Sequence, residues 1–411
     1  MSFYRLEGSD QLPFHLRRMM PNILWLDEAG LPERGTISAK ILISGYRLGD
    51  ENQVPLALVV GKPEGGVDCR FDLPRAIEGT LLEKYHGGLE PALEMRLPFN
   101  YSLLPPWIKG AARFFRAGKM THDAEIHFPS KEPQYVVDWL RGLAVWAGLS
   151  GTFRSQNVGW PGGCRAAITI SHDVDTDWLF LNPDWLERFC DLEEKHGFFG
   201  AWYCVPCYST GRKSIQGIER LKARGCEIGC HGYNHDAKWP LLTGPRFERR
   251  LEVVRAFRDR WQARGFRSEW LWRTPAFLSA IAGVFAYDSS VPTSSSSFTR
   301  MTRNGCGTCM PYQTFGGMIE LPLTLPMDEA RHATGVSVDA FWETQVGLAE
   351  KIVDQGGLVT ISLHPQPHQA ANRETLEALD RALQRLSALS KVWVARPDQI
   401  AEHVRKKIIP G

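Results

Sequence analysis

Residues 166–175 read Ala166–Ala167–Ile168–Thr169–Ile170–Ser171–His172–Asp173–Val174–Asp175. A run of small apolar and β-branched residues predicts a buried strand, and this one stops abruptly at two carboxylates. The same form recurs downstream. The strand-like stretch Cys226–Glu227–Ile228–Gly229–Cys230 leads into His231–Gly232–Tyr233–Asn234–His235. If the chain enters a helical turn there, imidazoles at i and i+4 share one face and can reach one metal ion. Two His and one carboxylate, with an open position for water, form a catalytic metal arrangement.

Outward from these two stretches the pattern alternates. Helices are expected over 183–196, 215–224, 247–264, 341–355 and 373–389, with a closing helix from Pro397. Strands are expected over 200–205, 226–230, 269–272, 285–287, 319–323, 358–363 and 391–395. Strand–helix alternation implies parallel βα units, and this many units suggests a closed or nearly closed barrel rather than an open sheet. The expected fold class is therefore α/β: a distorted (β/α) barrel with seven or eight strands, preceded by a smaller N-terminal α+β domain.

A chain of 411 residues exceeds one ordinary core, which fits two domains or one large barrel with an extension. The boundary is placed at residue 160, with 1–160 accessory and 161–411 forming the barrel. In the accessory part, strands are expected over 41–47 and 54–60 and a helix over 135–146. An extended stretch there carries Phe99, Tyr101 and Trp107. Its aromatics suggest that this part covers the barrel mouth; a domain packed on the barrel's side or base is the alternative.

With 43% hydrophobic and 23% charged residues, the chain has the composition of a soluble globular protein. A net charge of +2 singles out neither nucleic acid nor anionic membrane as a partner. There is no bilayer-length apolar run and no basic n-region followed by an apolar h-region, so a cytoplasmic protein is expected. The nine Cys are an odd count for a disulfide framework and agree with a reducing compartment. Cys204 and Cys207 with Cys306 and Cys309 could build a structural zinc site, although two unrelated thiol pairs is the simpler reading. Cys164, Cys190, Cys226 and Cys230 read as small core residues.

Chemistry gathers where strands end. Hydrolysis of an amide or ester needs an activated water, a base, an oxyanion stabiliser and an acid for the leaving group. Asp175, His231 and His235 can hold a metal. Asp173 can take the proton of water, and Arg273 can keep that carboxylate ionised through a bidentate contact. His364 can protonate a departing amine near neutral pH. Plainer readings exist for single residues. An Asp at a strand end often caps a helix, and Asp288 before a Ser run can form an Asx turn. Trp202, Tyr203, Trp239 and Trp272 could stack on sugar rings but more often such residues are core. Asp173 to Asp177 is not a calcium loop, because Trp178 stands where Gly is required.

In order, Ser171–His172–Asp173–Val174–Asp175, His231–Gly232–Tyr233–Asn234–His235, Arg273–Thr274–Pro275, Tyr287–Asp288–Ser289–Ser290 and Leu363–His364–Pro365 resemble the motifs of the polysaccharide deacetylases of carbohydrate esterase family 4. The resemblance covers residues 164–400. It implies a distorted barrel, a divalent metal (zinc, with cobalt, nickel or manganese as alternatives) and removal of N-acetyl groups from amino sugars or glycans. By motif, Asp173 matches the base, Asp175, His231 and His235 the metal ligands, and Arg273 the residue that orients the base. His364 matches the acid and Asp288 its partner. Val174 separates carboxylates that are adjacent in many members, and His172 stands where an aromatic is common and could touch the site. Two other readings stay open: a C–N hydrolase of a non-sugar amide, cyclic amide or formamide, and a non-catalytic glycan-binding protein.

Overall fold

Strand β1 (Ala166–Val174) is buried along its whole length. Ala166, Ile168, Ile170 and Val174 point to one side and join the main hydrophobic core. Ser171 and Asp173 point to the other, as the period of two requires. One strand thus separates an apolar shell from a polar interior, and it pairs with three others.

The computed structural model describes residues 159–293, 306 and 308–408, with four short strands nearer the N-terminus. Of these, Tyr4–Glu7 and Ala39–Leu42 pair parallel, while Leu58–Gly61 and Val67–Arg70 pair antiparallel. The other expectations for residues 1–158, including the helix over 135–146 and the aromatic stretch, lie outside the described residues.

After β1 come β2 (Ala201–Cys204), β3 (Glu227–His231), β4 (Gly265–Arg267), β5 (Tyr287–Asp288), β6 (Tyr312–Gln313), β7 (Ile319–Glu320), β8 (Leu358–Leu363) and β9 (Val392–Val394). Eight of them run in the order β6-β7-β5-β4-β3-β2-β1-β8, and β9 lies beside the start of β1. Every pairing is parallel except β6 with β7. The sheet does not close by a ladder. Instead, the outer edge of β8 meets the chain around β6 and β7. Thr360 N donates to Thr324 Oγ1 at 2.8 Å, Thr360 Oγ1 to Pro322 O at 2.8 Å, and Leu358 N to Cys309 O at 2.9 Å. This is the expected distorted α/β barrel, with β9 added and a seam between β8 and the far edge.

The outer shell comprises α1 (Trp178–Leu181), α2 (Pro183–Lys195), α3 (Arg212–Ala223), α4 (Gly244–Trp261), α5 (Pro275–Ile281), α6 (Glu329–Thr334), α7 (Val338–Asp354), α8 (Arg373–Ser387) and α9 (Pro397–Ile408). Their inner faces follow the helical period. On α8, Thr375, Ala378, Leu379, Ala382, Leu383 and Leu386 are buried, and Asn372 caps its N-terminus by accepting from Thr375 N. Each fully buried large apolar side chain contributes roughly 1.5–3 kcal/mol. No helix among the described residues is long and apolar enough to cross a membrane.

One expected strand is corrected. Residues 269–272 form no strand; Glu269–Leu271 is a single 3-10 turn, with φ of 54° at Trp270 and 53° at Leu271. The ladder is made four residues earlier, by β4. Gly265 is needed there, because a Cβ would sit 2.0 Å from Cζ of Tyr287. Trp202, Tyr203, Trp239 and Trp272 are all buried, so the core reading of these aromatics holds.

Candidate active site

The strand ends converge at one mouth of the barrel. Asp175 Oδ1 lies 3.3 Å from His231 Nε2 and 3.0 Å from His235 Nε2. Among the described residues, these three form the one group with metal-ligand spacing. Ligand atoms on a tetrahedral zinc, at about 2.1 Å each, lie about 3.4 Å apart, so the donor set and its spacing fit a zinc-type ion. His231 closes β3 and is oriented from behind, its Nδ1 donating to the carbonyl oxygen of Arg267 at 3.0 Å. That bond fixes the tautomer and leaves Nε2 to face Asp175. Gln366 Nε2 donates to Asp175 Oδ2 at 3.1 Å. The chain does not turn helically between the imidazoles, as the i, i+4 spacing suggested. It passes through a loop in which Gly232, His235 and Ala237 have φ of 62°, 59° and 54°.

Asp173 is buried next to this trio. Its Oδ1 accepts from Arg267 Nη1 at 2.7 Å. The guanidinium is wholly buried, and each of its donors is used. Nε reaches Ser289 O at 2.8 Å, Nη1 also Ser362 Oγ at 2.9 Å, and Nη2 Ser171 Oγ and Ser289 Oγ at 3.0 Å each. Below it lies the ring of Tyr203, centroid 4.3 Å from Cζ. Burial alone pushes the Asp173 carboxyl upward, but the charges of Arg267, His231 and His364 hold it below its ordinary value.

His364 follows β8 directly, in a position set by the register. Ser362 lies opposite Ser171 and Leu363 opposite His172, so the next residue stands beside Asp173. Its Nε2 lies 4.0 Å from Asp173 Oδ2. Its Nδ1 is held by Asp328 Oδ1 at 2.6 Å, and its backbone N–H donates to Asp328 Oδ2 at 2.9 Å. Burial pulls the imidazole pKa down, but the carboxylates of Asp328, Glu329 and Asp175 hold it well above the ordinary value. An ionised carboxylate and a protonated imidazole thus face each other at neutral pH.

Two expected partnerships are corrected. The guanidinium on Asp173 is that of Arg267; Arg273 donates to Leu271 O at 2.5 Å and acts electrostatically on Asp288 and Glu320. The partner of His364 is Asp328. Asp288 instead accepts from Ser290 Oγ at 2.6 Å, the Asx-type contact, and its register partner is the buried acid Glu320. Burial raises the pKa of both acids, and the neighbouring Asp288 carboxylate raises that of Glu320 further. His172 alternates away from the site, stacking on Trp202 and bonding Glu193 Oε1 at 2.5 Å. No four-cysteine site forms among the described residues. Cys190 and Cys230 are buried as expected, while Cys164 and Cys226 are half-buried. Sequence reading missed Arg267, Asp328 and Gln366. A basic residue closing a strand was the available signal for Arg267.

No family model and no curated protein matches this chain. Solved structures similar to it include a Mycobacterium smegmatis protein described as a polysaccharide deacetylase, 20% identical over 62% of this chain and 94% of that one, with a TM-score of 0.48. A Pseudomonas aeruginosa protein of the same description is 17% identical over 61% and 94%, with a TM-score of 0.48. An allantoinase is 17% identical over 61% and 93%, with a TM-score of 0.47.

Proposed function

We propose that this chain is a metal-dependent hydrolase that removes the acetyl group from an N-acetylated amino sugar within a glycan or sugar conjugate. The observation that carries this reading is the meeting, at one barrel mouth, of a two-His, one-Asp ligand set with a base and an acid of opposite charge. A binding module needs none of these groups. The choice of an acetylated amino sugar rests on the five ordered motifs.

Asp175, His231 and His235 would hold the ion, zinc being the expected one. Bound there, it supplies Lewis acidity to water and to the amide carbonyl. Asp173 accepts the proton of the attacking water through Oδ2, since Arg267 occupies Oδ1 and keeps the carboxylate ionised. His364 enters as imidazolium and gives its Nε2 proton to the departing nitrogen. Asp328 holds the ring from Nδ1, so the proton leaves from the side that faces the site. Residues 161–411 are the catalytic unit in this reading, and 1–160 an accessory part that shapes substrate choice.

The test is release of acetate by the zinc-loaded protein from a panel of N-acetyl amino sugars and short N-acetylated glycans, beside allantoin and simple formamides. Acetate from the sugars alone supports the reading. Turnover of only the cyclic amide or formamide moves the chain to another C–N hydrolysis, and turnover of nothing favours glycan binding without catalysis.

A further inference from the structure

Glu269 takes no part in the proposed chemistry, yet it is buried to within 2% at the edge of the site. Its carboxylate accepts from three backbone amides of the His235 loop. Oε1 receives Tyr233 N at 2.6 Å and His235 N at 2.5 Å, and Oε2 receives Ala237 N at 2.6 Å. Successive N–H groups aimed at one anion form a nest, a concavity that backbone adopts when left-handed residues interrupt it. The loop has that form. Gly232, His235 and Ala237 all lie in the left-handed region, which is uncommon for residues with a Cβ. Its entry is shaped by the same carboxylate side chain, because a Cβ on Gly232 would sit 2.2 Å from Glu269 Cγ.

We propose that Glu269 is a positioning residue for the metal site, an internal anion around which the loop is wound so that His235 Nε2 meets Asp175 Oδ1. The inference rests on the reading of Asp175, His231 and His235 as ligands. His231 does not need such a device, since it ends a strand and is oriented by the carbonyl of Arg267. His235 sits four residues beyond, outside any strand or helix, and its backbone is fixed through its own N–H. Without the anion, three buried amides lose their acceptor, and the left-handed turns at His235 and Ala237 lose the bonds made at their own N–H groups. The ring then loses its 3.0 Å approach to Asp175.

The test is Glu269→Gln in the full chain, which keeps the shape and replaces one acceptor oxygen by a donor. Three readouts are taken: zinc affinity, the visible absorption of the cobalt-substituted protein, and amide exchange at Tyr233, His235 and Ala237 in the metal-free protein. Zinc should bind roughly 10- to 100-fold more weakly, as for other groups that orient ligands. The cobalt spectrum should change, and the three amides should lose protection while β1 keeps its own. A merely structural Glu269 would lower Tm and leave zinc affinity and the cobalt spectrum as in the wild type; that result overturns the proposal. If Glu269→Gln does not fold, Glu269→Asp, which retracts the carboxylate, and Gly232→Ala, which pushes it from the other side, are judged by the same readouts. If the wild type binds no zinc, the ligand reading fails on its own. Amide exchange then still decides whether Glu269 winds the His235 loop, with protection lost in the variant supporting that part and protection kept overturning it.

Discussion

Asp173 and His364 face one another across 4.0 Å, Oδ2 to Nε2, and each is held from behind by an opposite charge. Arg267 stands behind the carboxylate at 2.7 Å and Asp328 behind the imidazole at 2.6 Å. The proposed base and acid are thereby both kept in the charge states their roles require, by neighbours that need not touch a substrate.

Asp173→Asn should lower kcat by roughly 100- to 10,000-fold, the usual cost of losing a positioned base. Zinc content should stay near that of the wild type, because Asp173 is outside the ligand trio. Stability should fall by about 3–5 kcal/mol, since Arg267 is left buried without its anion. Kinetics, metal analysis and urea unfolding on one preparation check all three. Near-normal turnover would mean that the two carboxylates have exchanged roles.

Asp328→Asn removes the largest influence that raises the His364 pKa against the effect of burial. An acid whose pKa falls loses its proton at lower pH, so the alkaline limb of the pH–rate profile should move to lower pH. Asp288→Asn should leave that limb in place, since Asp288 contacts Ser290 rather than His364. If Asp288→Asn moves the limb and Asp328→Asn does not, the pairing is misassigned.

His231→Ala removes one of the three proposed ligands and should drop zinc stoichiometry well below that of the wild type under equal loading. Treatment of the wild type with a chelator should abolish turnover, and added zinc should restore it. Metal analysis before and after dialysis reads the first effect directly; equal zinc in both proteins contradicts the assignment.

Glu227 concerns stability instead of turnover. It lies toward the start of β3 and accepts from Tyr287 Oη at 2.7 Å and from Asp398 N at 2.8 Å. Burial, aided by the Asp398 carboxylate, raises its pKa to about 8 from 4.5. As pH rises between those values the unfolded chain ionises and the folded one does not, so stability falls, by up to about 1.4 kcal/mol per pH unit. Glu227→Gln should flatten that slope between pH 5 and 8 in urea unfolding. Parallel slopes for wild type and variant would refute the assignment.

Some parts of this site were legible in the sequence and others were not. The ends of β1, β3 and β8 were visible because each is an apolar run broken by an ionisable residue, a signal that local composition carries. β4 was misplaced because its three residues are too few to display a period, while the apolar 269–272 stretch imitates one. Arg267 was hidden by that error and Arg273 took its place. Asp328 was invisible for a different reason. It lies 36 residues before His364, in no strand, and only the folded chain brings the two together. Likewise the spacing of His231 and His235 suggested a helix, whereas a left-handed loop solves the same geometrical problem.

The seam has a consequence for the acid. His364 is borne by β8, on one side of the gap, and Asp328 by the segment beyond β7, on the other. Closing the barrel therefore also charges the imidazole. A sheet with the same strands but parted along Thr360 and Thr324 would present His364 without Asp328 behind it, and the imidazole would give up its proton at lower pH. Fluctuations that part this edge would act as a proton gate, silencing the proposed hydrolysis without displacing any of the proposed metal ligands.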